Sequence, residues 1–214
     1  MDEDLSIINT NTRNEKIRNF FVNNKNIIIS GIIILIIIIV GVFSYDKYLI
    51  PKKKEISDKF NSITIYYSEK TKEKTTNGLI EIVNKKDPTY SPLSLYFIID
   101  NNLVGDEAKV NSLFNILIND TSLENDIKNL IIYKKALFNA DNVNEADLLN
   151  ILNPLINSKS VWKSHSLYLM AEYFYANNQK QKAKEFFNQI ITLENSNPDL
   201  RLQAEKRLNR DLSE

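Results

Sequence analysis

The chain has 214 residues, with 27 basic and 27 acidic side chains, one histidine and no cysteine. The lack of cysteine excludes disulfides, cysteine-ligated metals and thiol redox chemistry, and a single histidine leaves no second imidazole for a conventional zinc site. Residues 1–45 carry four acidic and four basic side chains, so the remainder is also formally neutral. It therefore lacks the electrostatic footprint of a nucleic-acid-binding protein.

An apolar run, IIISGIIILIIIIVGVF, extends from Ile27 to Phe43 without a charged residue. A helix of that length covers roughly the hydrocarbon thickness of a bilayer, so we predict a transmembrane helix over residues 27–45 behind a tail of residues 1–26. The alternative is a cleaved signal peptide, which has a shorter apolar core and a small-x-small cleavage site. Basic residues flank the run on both sides, so charge alone does not decide its orientation.

Beyond the apolar run, the pattern is helical throughout. Apolar residues recur at helical spacing from Ile56 to Tyr67 and predict a helix as far as about Lys72. Helical segments then follow in pairs, among them LSLYFIIDNNLV with AKVNSLFNILIND, and ENDIKNLIIYKKALFNA with LLNILNPLIN. LSLYFIID alone also has the β-branched and aromatic content of a strand. The spacing of about four pairs predicts an all-α fold, a helical solenoid after the transmembrane helix.

The last pair carries the sharpest motif, AEYFYANNQKQKAKEFF. Ala171 and Phe174 fall on the first half of the tetratricopeptide repeat pattern, and Ala183 and Phe187 fall on its second half. Small residues at these positions allow two helices to approach closely, and the aromatics fill the space beside them. Residues 164–197 therefore resemble a tetratricopeptide repeat, whereas a helical hairpin of another kind is the alternative.

The whole layout resembles a bacterial family over about residues 15–210. These are membrane-anchored tetratricopeptide-repeat-like proteins described as ancillary subunits of the SecYEG translocon, and VWKSHSLYLMAEYFYANNQKQKAKEFFNQI is the motif that carries the likeness. The resemblance implies an inner-membrane protein with a cytoplasmic N-terminus and a periplasmic domain of residues 46–214. It also implies partners among translocon subunits and exported proteins.

In this repeat class the first helices of successive pairs line a concave surface. On the helix from Ser164, one polar and aromatic stripe points away from Leu167 and Met170. Its residues are His165, Tyr168, Glu172 and Tyr175. We predict that this stripe binds proteins or peptides, with neighbours Lys128, Ile131 and Lys135 on the preceding helix. The alternative is a solvated helix face, or a face packed under a neighbouring helix.

We expect no enzymatic activity and no cofactor, because the chain has no G-x-G-x-x-G or Walker motif. Ser164 and Ser166 adjoin His165 in sequence but lie on different helix faces, which is poor geometry for proton transfer. The leading functional hypothesis is a membrane-anchored chaperone or ancillary factor for exported proteins. The alternative is a structural scaffold or assembly subunit of an envelope complex with one fixed partner, and the oligomeric state stays open.

Overall fold

The computed structural model describes residue 13 and residues 15–212, except for the side chains of residues 42–50 and 52. All regular structure in this range is helical. The all-α prediction is confirmed, and the strand alternative for LSLYFIID is wrong. The predicted tail before residue 13, together with Asn14, lies outside the described residues. The chain divides into two compact units, Met1–Glu55 and Ile56–Glu214.

The first unit contains helix α1, Glu15–Asn23, and the N-terminal part of helix α2, Lys25–Ile65. Among the described residues, no single helix is both long and apolar enough to cross a membrane. The pair formed by α1 and Lys25–Gly41, bent by 68°, meets the length and composition criteria jointly.

The second unit contains the end of α2 and eight further α-helices. They are α3 (Lys72–Asn84), α4 (Tyr90–Asp100), α5 (Glu107–Asn115), α6 (Asn125–Asn139), α7 (Glu145–Ile156), α8 (Lys163–Ala176), α9 (Lys180–Thr192) and α10 (Pro198–Asp211). A 3₁₀ turn, Glu69–Thr71, precedes α3, and a π-helical turn, Ile116–Asp120, extends α5.

Short polar side chains fix where several helices begin. Asp106 accepts hydrogen bonds from the N–H groups of Ala108 and Lys109 at the start of α5, and Asn144 accepts one from Asp147 at the start of α7. Such N-caps satisfy N–H groups that have no partner within the helix. Asp106 and Asn144 therefore mark the starts of α5 and α7.

Asparagines in the left-handed conformation end two of the helices. Asn102 and Asn178 have φ of 47° and 59°, a region that asparagine tolerates better than most residues. After α8, the N–H of Gln179 donates to the carbonyl of Phe174 at 2.8 Å, the longer bond of a Schellman motif. The polar Asn-Asn sequence therefore reverses the chain between α8 and α9.

The helix predicted as far as Lys72 ends earlier, at Ile65. The hydroxyl of Thr71 accepts a hydrogen bond from the N–H of Ser68 at 2.9 Å and donates one to the carbonyl of Ser68 at 3.0 Å. Local bonds of this kind compete with the helical pattern. The prediction of a helix as far as Lys72 rested on apolar periodicity alone, which does not register this break.

Two apolar cores lie side by side in the second unit. The first is built from α3 to α6 and includes Leu79, Leu95, Phe114 and Ile131; the second is built from α6 to α10 and includes Leu152, Met170, Phe174 and Phe187. Helix α6 contributes to both, because Ile131 is buried in the first and the adjacent Ile132 in the second. Neither core is complete without this helix.

The most extensive helix packing joins α8 to α9. Ala171 and Ala183 are both completely buried there, with Phe174 and Phe187 in the same core. Helix α4, which was expected to pair with α5, packs more extensively on α3. One reason is that Ser91 at the start of α4 donates a buried hydrogen bond to the carbonyl of Ile82 on α3.

The complete burial of Ala171 between α8 and α9 predicts that a larger side chain at this position destabilises the fold. Ala171→Leu should lower the free energy of unfolding by about 1–3 kcal/mol, since added methylenes in a filled core force neighbouring side chains to move. Ala176→Leu on the exposed end of the same helix is the control. Urea unfolding followed by circular dichroism measures both, and equal stability of the two variants would contradict the packing.

Candidate functional site

The four stripe residues on α8 are all half-buried, and three of them face α10. Arg207 of α10 contacts Glu172 and Tyr175 directly, and its guanidinium lies close enough to Tyr168 to influence that phenol. The stripe is therefore partly covered by a neighbouring helix within the same chain. Its role in binding a partner stays a prediction.

Arg207 makes a bidentate contact with Glu172. Its Nε donates to Glu172 Oε1 at 2.8 Å, and its Nη2 donates to Glu172 Oε2. The guanidinium also lies over the ring of Tyr175, with 4.3 Å between its central carbon and the ring centroid. The Arg207 side chain is only 19% exposed. A planar fork that pairs with a carboxylate and stacks on an aromatic ring is specific to arginine.

Asp211 completes this ion-pair cluster one turn further along α10. It accepts hydrogen bonds from Arg210 and from Arg207, and these bonds lower the pKa of its carboxyl to about 2. The Glu172 hydrogen bond, reinforced by the bond to Asp211, raises the pKa of the Arg207 guanidinium. The cluster links α10 to α8 through these charged hydrogen bonds.

Tyr168 lies between the ion-pair cluster and the core. Its ring meets that of Phe187 edge-on, with 5.5 Å between centroids. Burial raises the pKa of its hydroxyl, and the neighbouring carboxylate of Glu172 raises it further. The tyrosine thus has an apolar contact on one side and a polar contact on the other.

His165 belongs to a separate aromatic cluster. Its ring lies 5.0 Å from that of Trp162 and 5.7 Å from that of Tyr133, between centroids. Trp162 stacks on Tyr133 and donates from Nε1 to the carbonyl of Asp126 at 3.3 Å. Burial lowers the pKa of His165. These contacts join the start of α8 to α6.

The prediction that Ile131 of α6 lies on the surface beside the stripe is wrong. Its side chain is completely buried in the first core. Lys128 and Lys135 are half-buried, and Lys135 donates to the side-chain oxygen of Asn115 on α5 at 2.8 Å. Burial lowers the pKa of Lys135. Helical periodicity located α6 but gave the wrong face for Ile131, because α6 has apolar side chains on more than one face.

An apolar groove that the sequence did not lead us to expect lies between α4 and α6. Two cavities of about 470 and 260 Å³ share Tyr96 in their walls. Leu93, Ile127 and Leu137 line them and are 40–45% exposed. We call this surface the α4–α6 groove. A second row of apolar residues on α6, Ile127, Leu130 and Leu137, is the signal that could have revealed it.

Tyr96 lies between the two cavities of the α4–α6 groove. The Nζ of Lys134 lies 4.6 Å from the centroid of its ring, within range of a cation–π contact. Burial raises the pKa of the Tyr96 hydroxyl to about 12. Among the described residues this buried hydroxyl has no hydrogen-bond partner. The middle of the groove thus combines an aromatic wall with a cationic rim.

A further cavity of about 410 Å³ lies beside α8, where Glu172, Tyr173 and Asn177 face the turn after α6. Within residue 13 and residues 15–212, no cluster of three or more histidine or carboxylate side chains could hold a metal. Comparisons with protein-family models, with curated proteins and with solved structures returned no match for this chain.

The ion pair between α8 and α10 predicts that arginine is required at position 207. Arg207→Lys should lower the free energy of unfolding by about 1–2 kcal/mol. Lysine cannot form the bidentate bond to Glu172, and it does not stack on Tyr175 as a planar guanidinium does. Lys206→Arg, an exchange between the same two residue types at an exposed position of α10, is the control. Thermal unfolding of the two variants measures the difference, and equal melting temperatures would contradict the account.

The lowered pKa of the Asp211 carboxyl predicts that the stability of the fold depends on pH. Because its pKa is lowered in the folded chain, its stabilising effect is present above the ordinary aspartate pKa and is lost as the pH falls toward about 2. Asp211→Asn should therefore lower the melting temperature near neutral pH, and the difference from wild type should shrink below about pH 4. Asp141→Asn, in an exposed turn, is the control. A difference that stays constant with pH would refute this linkage.

Proposed function

We propose that this chain is a single-pass bacterial inner-membrane protein whose helical domain binds polypeptides. Its role would be that of an ancillary factor or chaperone for exported proteins at the Sec translocon. The α4–α6 groove is the observation that carries the binding proposal. The resemblance to membrane-anchored tetratricopeptide-repeat-like proteins supplies the cellular setting, with the N-terminus in the cytoplasm and the domain in the periplasm.

The proposed membrane anchor is the helical segment over residues 27–45. Apart from the half-buried Ile28, the large apolar side chains from Ile27 to Val40 are 46–71% exposed. Apolar side chains on every face of one helix are unfavourable in water and favourable in the hydrocarbon of a bilayer. The continuous helix provides the internal hydrogen bonding that a membrane requires of the backbone.

The proposed solenoid is supported by how the helices pack along the chain. Each helix from α6 to α10 packs against its neighbour in sequence, as does α3 against α4. Such nearest-neighbour packing is typical of helical repeats. The buried pair Ala171 and Ala183, with the left-handed Asn178 between their helices, supports a tetratricopeptide-like geometry for α8 and α9.

A client segment with apolar side chains fits the α4–α6 groove best. Leu93, Ile127 and Leu137 would lose water on binding, which is the main favourable term in such association. Lys134 would lie near polar or acidic groups at the edge of the segment. The ion-pair cluster, in contrast, already satisfies its own charges within the chain. The groove is therefore a better binding surface than the α8 stripe.

We also propose that the chain has no catalytic activity. The Ser164 hydroxyl accepts a hydrogen bond from the N–H of Asn197 at 3.1 Å, and the Ser166 hydroxyl donates to the carbonyl of Trp162 at 2.9 Å. Both serines beside His165 are therefore engaged with the backbone. A nucleophile needs its base within hydrogen-bonding reach.

The groove predicts that Leu137 contacts clients. In cells, a photo-crosslinking residue at Leu137 should capture several exported proteins together with translocon subunits. The matched control is Leu202 on α10, which has similar exposure, 49% against 45%. A single stoichiometric adduct at Leu137 would instead favour the scaffold with one fixed partner. Equal capture at both positions would contradict a specific groove.

Purified protein in nanodiscs gives a second test of the same groove. Leu137→Asp should weaken suppression of the aggregation of an unfolded exported protein, because a carboxylate in the groove would lose hydration when a client covers it. Leu202→Asp should leave the suppression unchanged, and circular dichroism verifies that both variants are folded. Undiminished activity of Leu137→Asp would exclude the groove as the client site.

A further inference from the structure

Helix α1, which precedes the proposed anchor, is amphipathic. Successive helical residues are offset by about 100°, so Ile17, Phe20 and Phe21 fall within one arc of about 100°. These three side chains are 47–60% exposed. The rings of Phe20 and Phe21 meet edge-on, with 5.9 Å between centroids. The helix therefore presents a short apolar face to its surroundings.

Basic residues border this apolar face on both sides. Lys16 lies along one edge and Arg18 along the other, and both are exposed. Glu15, Asn19 and Asn23 occupy the opposite side, together with the exposed Val22. Long basic side chains beside an apolar face can bury their stems and extend their charges toward phosphate groups. This order of apolar face, basic edges and polar back is typical of helices that lie in a membrane interface.

The junction between α1 and α2 gives α1 the orientation that an interface requires. The two helices are bent by 68°, and hydrogen bonds continue through Asn24. Its N–H and its side-chain amide both donate to the carbonyl of Phe20, at 3.0 and 2.9 Å, and its carbonyl accepts from the N–H of Ile28 at 3.0 Å. With the apolar helix along the membrane normal, α1 lies close to the membrane plane.

We propose that α1 is an interfacial helix that binds the anionic phospholipid surface of the leaflet on the N-terminal side of the span. This inference rests on the proposed membrane anchor at residues 27–45. The span places α1 at the membrane surface, and the bend turns the helix toward the membrane plane. Phe20 and Phe21 enter the boundary between headgroups and acyl chains, while Lys16 and Arg18 contact lipid phosphates. α1 thereby fixes the depth and rotation of the anchor.

Because the chain has no cysteine, single cysteines can be labelled specifically to test this. The full chain is reconstituted into vesicles of phosphatidylcholine, with or without phosphatidylglycerol. An environment-sensitive fluorophore is attached at Phe21→Cys on the apolar face or at Asn19→Cys on the polar back. We expect a blue shift and quenching by spin-labelled lipid at Phe21→Cys, stronger with phosphatidylglycerol, and a water-exposed label at Asn19→Cys.

Charge variants test the role of the basic edges. Lys16→Gln with Arg18→Gln should lower the ratio of inserted to exposed label at Phe21→Cys by about fivefold for each residue in anionic vesicles. Lys53→Gln with Lys54→Gln, beyond the apolar run, is the control and should leave that label unchanged. Insertion that is indifferent to phosphatidylglycerol and to Lys16 and Arg18 would overturn the anionic-lipid assignment.

A label at Ile36→Cys separates the two proposals. Deep quenching at Ile36→Cys with a water-exposed label at Phe21→Cys would overturn the interfacial helix and leave the anchor intact. A water-exposed label at Ile36→Cys would refute the anchor itself, and the interfacial helix with it.

Discussion

The division of α6 between two apolar cores is the constraint on which the architecture of the helical domain depends. Ile131 and Ile132 are adjacent in sequence but lie about 100° apart around the helix, and each enters a different core. Truncation of either would remove buried apolar contact from one core. Because α6 serves both sides, the domain is held together by packing rather than by a linker.

The same helix explains why the domain has a groove. The faces that carry Ile131 and Ile132 are used by the two cores, and the remaining apolar row, with Ile127 and Leu137, is only partly covered by α4. Contiguous exposed apolar patches often mark interaction sites or binding grooves. The α8 stripe differs, since Arg207 covers part of it and pairs with Glu172 within the chain.

Much of the fold could be predicted from the sequence, for identifiable physical reasons. Helices α6 to α10 follow from apolar periodicity and from local signals such as Asn144, Asn178 and Pro198, which act within a few residues of the chain. The end of α2 at Ile65 could not be predicted from periodicity, because it depends on hydrogen bonds between Ser68 and Thr71. The packing of α4 on α3 depends on tertiary contacts.

The candidate site was harder to predict than the fold. The predicted stripe on α8 divides between two neighbours, because His165 lies with Tyr133 of α6. Only the tertiary structure shows Arg207, distant in sequence, against Glu172 and Tyr175. Ile131 was assigned to the surface because apolar residues occur around much of α6. A groove between two helices depends on what covers each face, and no single helical segment encodes that.

We propose that the uncovered face of α6, with α4, receives apolar client segments. Hydrogen–deuterium exchange on the full chain in nanodiscs, with and without an unfolded exported protein, tests it most directly. We expect the client to slow exchange in peptides from α4 and α6 and to leave exchange in α10 unchanged. Slower exchange confined to α8 and α10, or no change at any helix, would contradict it.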